Sequence, residues 1–402
     1  MNVLFLTLIK IDTLEDRGIY HDLLREFIKN NHEVTIVCPT ERREGKPTEI
    51  IKRNGYQILK VKTFNIQKTH ILEKGIATLA IEYQFLNAIK KHLNAIKFDM
   101  VLYSTPPITF SRVIDYVKKR DNAFSYLLLK DIFPQNAVDM KMIKKGSLIH
   151  RFFLKKEKKL YELSDFIGCM SPANVEFLLK HNAYISREKV EVNPNCITPI
   201  EVKYNEQEKK YVREKYKLPK NKKIFIYGGN LGKPQGLDFL LETIVACKDE
   251  EAFFVVVGSG TEYDRIKKWF ANNTPKNAIL LKGLPKNEYD LLVSCCDVGL
   301  IFLHPDFTIP NFPSRLLSYL ECGIPILVAA DKHTDIGTEV EKNKCGIFVL
   351  SGDIDKMVKT VKYFIRLDSK AYISYKECCK AYMDREFLSE DSYIKIIEKL
   401  SK

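Results

Sequence analysis

Short uninterrupted apolar runs, each followed by a stretch of helical period, organise the chain into two series. The first series comprises Val3–Ile9, Val34–Cys38, Tyr56–Val61, Met100–Ser104, Ser125–Lys130, Phe166–Met170 and Val190–Val192. The second comprises Ile224–Tyr227, Phe253–Val257, Ile279–Lys282, Val298–Phe302, Pro325–Ala329 and Gly346–Val349. Runs of this kind, without polar alternation, suit strands covered on both faces. Helical stretches between them, such as the amphipathic one from Gly18 to about Asn30, predict right-handed crossovers. The expected fold class is therefore α/β, with two Rossmann-like doubly wound parallel sheets. Residues 200–222 are polar and poor in large apolar groups, which predicts a connection there. Ligands are expected in a cleft at the carboxyl ends of both sheets.

At 402 residues, with 45% apolar and 29% charged side chains, the chain can bury a core in each half and is not of disordered composition. Charge is uneven: residues 1–200 hold 32 Lys+Arg against 22 Asp+Glu, giving +10 of the total +13. That biases the first half toward acidic partners. The ten cysteines form no C-x-x-C pair and no zinc spacing, so reduced thiols and no metal are expected. The apolar start is too short for a signal segment, and no run reaches the length of a membrane span. A cytoplasmic protein is expected.

Candidate chemistry concentrates where strands give way to helices. Asn311-Phe-Pro-Ser-Arg-Leu-Leu-Ser-Tyr-Leu-Glu-Cys-Gly323 predicts a helix opening near Pro313-Ser314, stopped by Gly323. Asn311, Ser314 and Arg315 then stand where free N–H groups favour an anion. Gly228-Gly-Asn-Leu-Gly-Lys-Pro-Gln-Gly236 repeats the design, with glycines for close approach and Lys233 as a point charge. It is not the Walker pattern, and Gly258-Ser-Gly260 lacks the third glycine of a dinucleotide fingerprint, so it reads as a tight turn. In Lys130-Asp-Ile-Phe-Pro-Gln-Asn136 a charged pair ends an apolar strand, either for function or as a structural pair. Asp16, Arg17 and Gly18 lie in the loop after the first strand, on the same side.

Residues 140–161 carry eight basic groups against Glu157, interleaved with Ile149, Phe152, Phe153 and Leu160. Lysine stems over an apolar face suit an anionic membrane surface; the alternative is a solvated helix with its aromatics in the core. No nucleic-acid module accompanies the charge, and no nucleic-acid partner is expected.

Taken together, Asp16-Arg-Gly-Ile-Tyr20, His32-Glu-Val-Thr-Ile-Val37, Lys130-Asp-Ile-Phe-Pro134, Gly228-Gly-Asn-Leu-Gly232, Val257-Gly-Ser-Gly260 and Pro313–Gly323 resemble the family 4 retaining glycosyltransferases of GT-B fold that build bacterial polysaccharide. The likeness extends over nearly the whole chain and is nearest to the L-fucosamine-type transferases of O-antigen or capsule. It implies an acceptor-binding domain over 1–200, a nucleotide-sugar domain over 201–375, and a terminal helical segment, 376–402, crossing back onto the first. It implies a UDP-sugar donor, a lipid-linked saccharide acceptor, no cofactor, and a place on the inner face of the cytoplasmic membrane. The diphosphate would lie near Gly229, Asn230, Lys233 and Arg315, the base near Gly283-Leu-Pro285, and the reacting sugar near Asp131 and Lys130. Many relatives carry a Glu-x7-Glu pattern whose second carboxylate holds the ribose; here the two places are Pro310 and Ser318. Many also have Arg and Lys in the phosphate loop, where this chain has Asn230 and Gln235, and a histidine where Lys130 stands. A nucleotide-sugar epimerase of the same build, or a non-catalytic nucleotide-sugar-binding subunit, remain the alternatives.

Overall fold

The computed structural model describes residues 1–66, 71–200 and 205–400; part of the expected 200–222 connection therefore lies outside the described residues, as do the last two of the terminal segment. The chain divides into two compact units, Met1–Thr198 with Ser389–Lys402, and Pro199–Leu388.

The first unit holds β1 (Asn2–Leu6), β2 (Glu33–Glu41), β3 (Glu49–Arg53), β4 (Tyr56–Thr63), β5 (Met100–Ser104), β6 (Phe124–Leu129), β7 (Phe166–Cys169) and β8 (Val190–Val192). They form one sheet in the order β3-β4-β2-β1-β5-β6-β7-β8. All pairings are parallel except β3 with β4. The central strands are buried on both faces, which is why they read as unbroken apolar runs. Strand β3 was not anticipated: Ile50-Ile51 is flanked by charge, and the turn signal Asn54-Gly55 before Tyr56 was the available cue. Gly55 takes φ 76° and closes this hairpin.

In the second unit β9 (Lys223–Asn230), β10 (Ala252–Ser259), β11 (Ala278–Lys282), β12 (Val298–Phe302), β13 (Ile326–Ala330) and β14 (Gly346–Leu350) form an all-parallel sheet, ordered β11-β10-β9-β12-β13-β14. Its core runs from Phe225, Phe254 and Phe302 to Met357 and Phe364 of a flanking helix. Part of the stretch expected to be a connection is instead a helix, Glu206–Lys215, opened by an Asn205–Glu208 capping box and anchored by buried Val212.

Strand order reverses between β1 and β5 in the first unit and between β9 and β12 in the second, the switch points where such sheets open a crevice. The helix Ser369–Glu386 stays with the second unit, and the helix Ser389–Glu398 belongs to the first. There Tyr393 stacks edge-on against Phe27 at 5.0 Å and bonds His32 Nε2 at 2.9 Å. Ser389 donates its N–H to the Ile197 carbonyl at 3.0 Å. Among the described residues no helix is long and apolar enough to cross a membrane.

Candidate functional site

In the second unit β9 and β12 pair only at Val298–Phe225 and Gly299–Ile226 and then part. The Tyr319 hydroxyl fills the parting. It lies 3.0 Å from the Ile226 carbonyl and 3.1 Å from that of Leu300, and accepts the Gly228 N–H at 3.3 Å. Beyond it the chain opens into the glycine loop. Gly236 adopts φ 57°, and a Cβ there would stand 2.6 Å from the Leu303 carbonyl oxygen, so only glycine lets the loop lie against the backbone leaving β12. His304 N–H to Pro234 carbonyl, 2.9 Å, fastens that approach. Gly258 and Gly260 prove to be a close-packed turn: a Cβ on Gly258 would meet the Gly229 carbonyl oxygen at 1.9 Å.

Arg315 opens the helix Arg315–Cys322 and points under this loop. It is only 8% exposed. Its guanidinium lies over the Tyr227 ring at 4.4 Å, and Nη2 donates to Gln235 Oε1. Gly229, at φ 120°, brings bare backbone to the same group; a Cβ there would be 3.7 Å from Arg315 Nε. Arg315 Nη1 is buried and has no hydrogen-bond partner among the described residues. Native structures rarely leave such a donor unmet. Gln235, one of the two loop positions at which the resemblance implies a cation, is thus met by the Arg315 guanidinium.

The other predicted donor-side residues are placed less tightly. Asn230 and Lys233 are exposed on the loop, Asn311 is half-buried, and exposed Ser314 makes no side-chain capping bond. Ser318 is buried and accepts from Lys286 Nζ at 3.3 Å, while Lys286 also pairs with buried Asp290. Lys286 was not singled out from sequence; its position directly after Gly283-Leu-Pro285, at the start of the helix Lys286–Ser294, was the available signal.

At the carboxyl end of the first sheet, Thr105 Oγ1 accepts the N–H groups of both Lys130 and Asp131 at 3.1 Å. The two side chains then diverge, because neighbours in extended chain alternate faces. Lys130 Nζ donates to the Asn193 carbonyl at 3.1 Å, and burial lowers its pKa to about 8. Both Asp131 oxygens accept from Asn136 Nδ2 at 2.8 Å. Burial of the carboxylate nevertheless raises its pKa to about 6, although the residue as a whole is only half-buried. The structure thus brings these residues to one strand end without pairing them.

Asp16, Arg17 and Gly18 are held from the following helix. Arg25 donates to the carbonyls of Leu14 and Asp16 and pairs with Asp22. Asp22, fully buried, accepts the N–H of Gly18 at 3.3 Å and that of Thr198 at 2.9 Å. The loop is therefore a fixed element, with the Asp16 side chain exposed. His21, whose pKa burial lowers, was unanticipated; a Cβ on Gly18 would come within 2.9 Å of its Nδ1.

Of the basic stretch, only the part from Leu148 onward is helical, in a helix over Leu148–Leu163 capped by Ser147 Oγ, which accepts from His150 N–H; Lys141, Lys144 and Lys145 precede it in non-helical chain. Its aromatics divide. Leu148 and Ile149 are 83% and 61% exposed and Phe152 is also exposed. Phe153 packs edge-on against Phe133 of the Asp131 loop at 4.9 Å.

Residues 208–378 match the family model described as Glycosyl transferases group 1. A protein described as probable glycosyltransferase WbjE, from Pseudomonas aeruginosa, is 24% identical over 281 residues, 69% of this chain and 68% of that protein. The putative colanic acid biosynthesis glycosyl transferase WcaI of Escherichia coli is 30% identical over 129 residues, 31% of each chain. Among solved structures, Anabaena Alr3699/HepE in complex with UDP and glucose superposes with a TM-score of 0.71 at 15% identity, covering 100% of this chain and 99% of that one. The match spans the glycine loop and the Arg315 helix, both within the second unit. Residues 208–378 are a glycosyl transferases group 1 domain, and the chain is a glycosyltransferase with the two parallel α/β sheets of the GT-B fold.

Proposed function

We propose that this glycosyltransferase moves a sugar, of N-acetylated amino-deoxy type, from a UDP-linked donor to a hydroxyl of a lipid-linked saccharide in cell-surface polysaccharide assembly, with retention at the anomeric carbon. The observation that carries the donor half is Arg315: a buried guanidinium with one unmet donor edge beside bare glycine backbone. A diphosphate supplies the acceptor oxygens such a group lacks, and arginine's planar fork suits it.

In this reading the bond from the anomeric carbon to the diphosphate oxygen breaks, and charge accumulates on the leaving group. Arg315, Lys233 and the backbone around Gly229 stabilise that charge in place of a metal. The departing phosphate oxygen takes the proton of the acceptor hydroxyl, whose oxygen bonds the anomeric carbon on the same face. No protein nucleophile is needed. Asp131 positions the acceptor or steadies the positive charge of the sugar, and Lys130 holds the strand end beside it. Residues 140–161 keep the enzyme at an anionic membrane surface, where a lipid-linked acceptor resides.

The test is Arg315→Ala, assayed for UDP binding by calorimetry and for transfer to a synthetic lipid-linked acceptor. Loss of one such group costs about 10²–10³-fold in turnover. The melting temperature should move by only a few degrees. Near-normal turnover in folded Arg315→Ala would remove the phosphate assignment.

A further inference from the structure

The strongest feature outside the sites above is a cavity of about 370 Å³ in the first unit, lined by Ser111, Arg112, Asp115, Phe152, Lys155, Lys156 and Lys159. It sits at the carboxyl end of the sheet. The helix Ser111–Asp121 follows β5 and so begins at that end, and the helix Leu148–Leu163, which leads into β7, does likewise. We propose that this cavity holds the diphosphate group of the lipid that carries the acceptor, with the chain lying along the exposed apolar side chains next to it.

Four cations line the cavity against one carboxylate, Asp115. Lys156 is fixed by buried Glu82 at 2.8 Å, and Glu82 also accepts from Ser111 Oγ at 3.1 Å and Arg112 N–H at 2.7 Å. Asp115 is taken by Lys119 at 2.8 Å. Lys155 and Lys159 have no carboxylate within ion-pair distance among the described residues. Arg112 lies over the Tyr83 ring at 4.8 Å, with Nε 3.8 Å from Glu82 Oε2. Two cations are therefore free for a ligand, and two are set in place by partners.

The apolar rim gives the ligand its second property. Phe152 lines the cavity and is exposed, as are Leu148 and Ile149 in the first turn of the same helix, and Ile76, Leu79 and Tyr83 are exposed on the helix Ile71–His92 that carries Glu82. Ile76, Leu79 and Tyr83 are spaced by three and four, so they share one face of that helix. An anion pocket on one helix with exposed apolar side chains, tied through Glu82 and Tyr83 to a second such helix, suits an amphiphile with a phosphate head better than a soluble phosphate. The same helix also packs on the Asp131 loop: Phe153, next to Phe152 in sequence, meets Phe133, two residues from Asp131.

The proposal rests on the lipid-linked acceptor reading, and its test separates the two. Binding to the full chain is measured for farnesyl diphosphate, farnesol, inorganic pyrophosphate, and phosphatidylcholine vesicles with and without phosphatidylglycerol, in the wild type and in Lys155→Ala/Lys159→Ala. The expected result is saturable farnesyl diphosphate binding that the double variant weakens about tenfold, with farnesol and UDP binding unchanged. Phosphatidylglycerol vesicles should displace farnesyl diphosphate poorly. Equal affinity in the two proteins would overturn the site. Displacement by pyrophosphate as effective as by farnesyl diphosphate would reassign it to free phosphate, and equal competition by phosphatidylglycerol would reduce it to a general anionic surface; either overturns the proposal. If transfer to lipid-linked acceptors fails while farnesyl diphosphate binding persists, the acceptor reading falls and the pocket stands.

Discussion

The carboxyl ends of the two sheets are built on opposite plans. In the second unit, glycines let backbones touch. Gly258 lies against Gly229, Gly236 against Leu303, and the space they leave is reached by one guanidinium with donor capacity to spare. In the first unit, charged side chains already have partners: Asp131 the Asn136 amide, Lys130 the Asn193 main-chain carbonyl, Asp22 the Arg25 guanidinium. The difference teaches where a ligand's charge is to be met. Unfilled hydrogen-bond capacity beside bare backbone suits a charged ligand, because the group is desolvated in advance. A carboxylate already satisfied by a neutral amide gains little from another donor, and suits holding a hydroxyl in place.

The largest effect should come from breaking the glycine plan itself. Gly258→Ala puts a methyl 1.9 Å from a backbone oxygen, and no flexible side chain can yield there. Overpacking against backbone costs about 3 kcal/mol, and in a unit of this size each 1 kcal/mol lowers the melting temperature by about 2–4 °C. A drop of about 10 °C in a thermal melt is expected, and no measurable change would show that the two loops are not packed as described.

Gly229→Ala is expected to divide stability from binding. The new Cβ meets nothing closer than the Arg315 guanidinium, at 3.7 Å, but the backbone at φ 120° is unfavourable for alanine. It also occupies the ground between backbone and cation where a phosphate would lie. UDP affinity should fall about tenfold while the melting temperature falls by only a few degrees. Equal affinity for UDP in the two proteins would place the diphosphate elsewhere.

How much of this contrast was readable beforehand follows from what local pattern encodes. Unbroken apolar runs announced thirteen of the strands, because a strand buried on both faces must be apolar throughout. The exception, β3, is an edge strand of mixed character that pattern alone leaves as loop. Arg315 was legible as a cation at a helix start. Its bond to Gln235 was not, since the two are far apart in sequence and meet only through the reversal of strand order. Lys130 and Asp131 looked like a pair by adjacency, yet strand alternation sends their side chains apart. Lys286, His21 and the exposed face of Ile76, Leu79 and Tyr83 carried no motif; each acquires meaning from neighbours supplied by other elements.

The first unit's plan can be sharpened by pH. Asp131 titrates at about 6 when folded, above the ordinary carboxyl value of 3.8, because burial penalises its charge. Folding therefore takes up a proton between these values, so this group's contribution to stability falls as pH rises from about 4 to about 6. Asp131→Asn should flatten the stability profile in that window. If ionised Asp131 and protonated Lys130 are both needed, kcat/KM should follow a bell with limbs near 6 and 8. Asn136→Ala removes both bonds to the carboxylate, which favour its charged form, so the acidic limb should move upward. An acidic limb that stays in place in Asn136→Ala would show that another group sets it.

The smallest effect should come from Ser318, because its oxygen is already engaged. Lys286 reaches it at 3.3 Å and is itself paired with buried Asp290, so the hydroxyl helps to fix an amine rather than standing open to a ligand. Ser318→Ala should change UDP affinity by less than about fivefold, since a single hydrogen bond contributes about 1 kcal/mol and Asp290 still holds Lys286. Ser318→Glu is the sharper probe. A carboxylate at this place sits within reach of Lys286 and would draw it from Asp290, leaving that buried acid without its cation. If UDP then binds more tightly and the melting temperature drops, the serine is a substitution that traded a ribose contact for a stable Lys286–Asp290 pair. Weaker binding of UDP would mean that Lys286 itself, held by serine and aspartate, contacts the nucleotide, and the second unit's spare donor capacity would extend beyond Arg315.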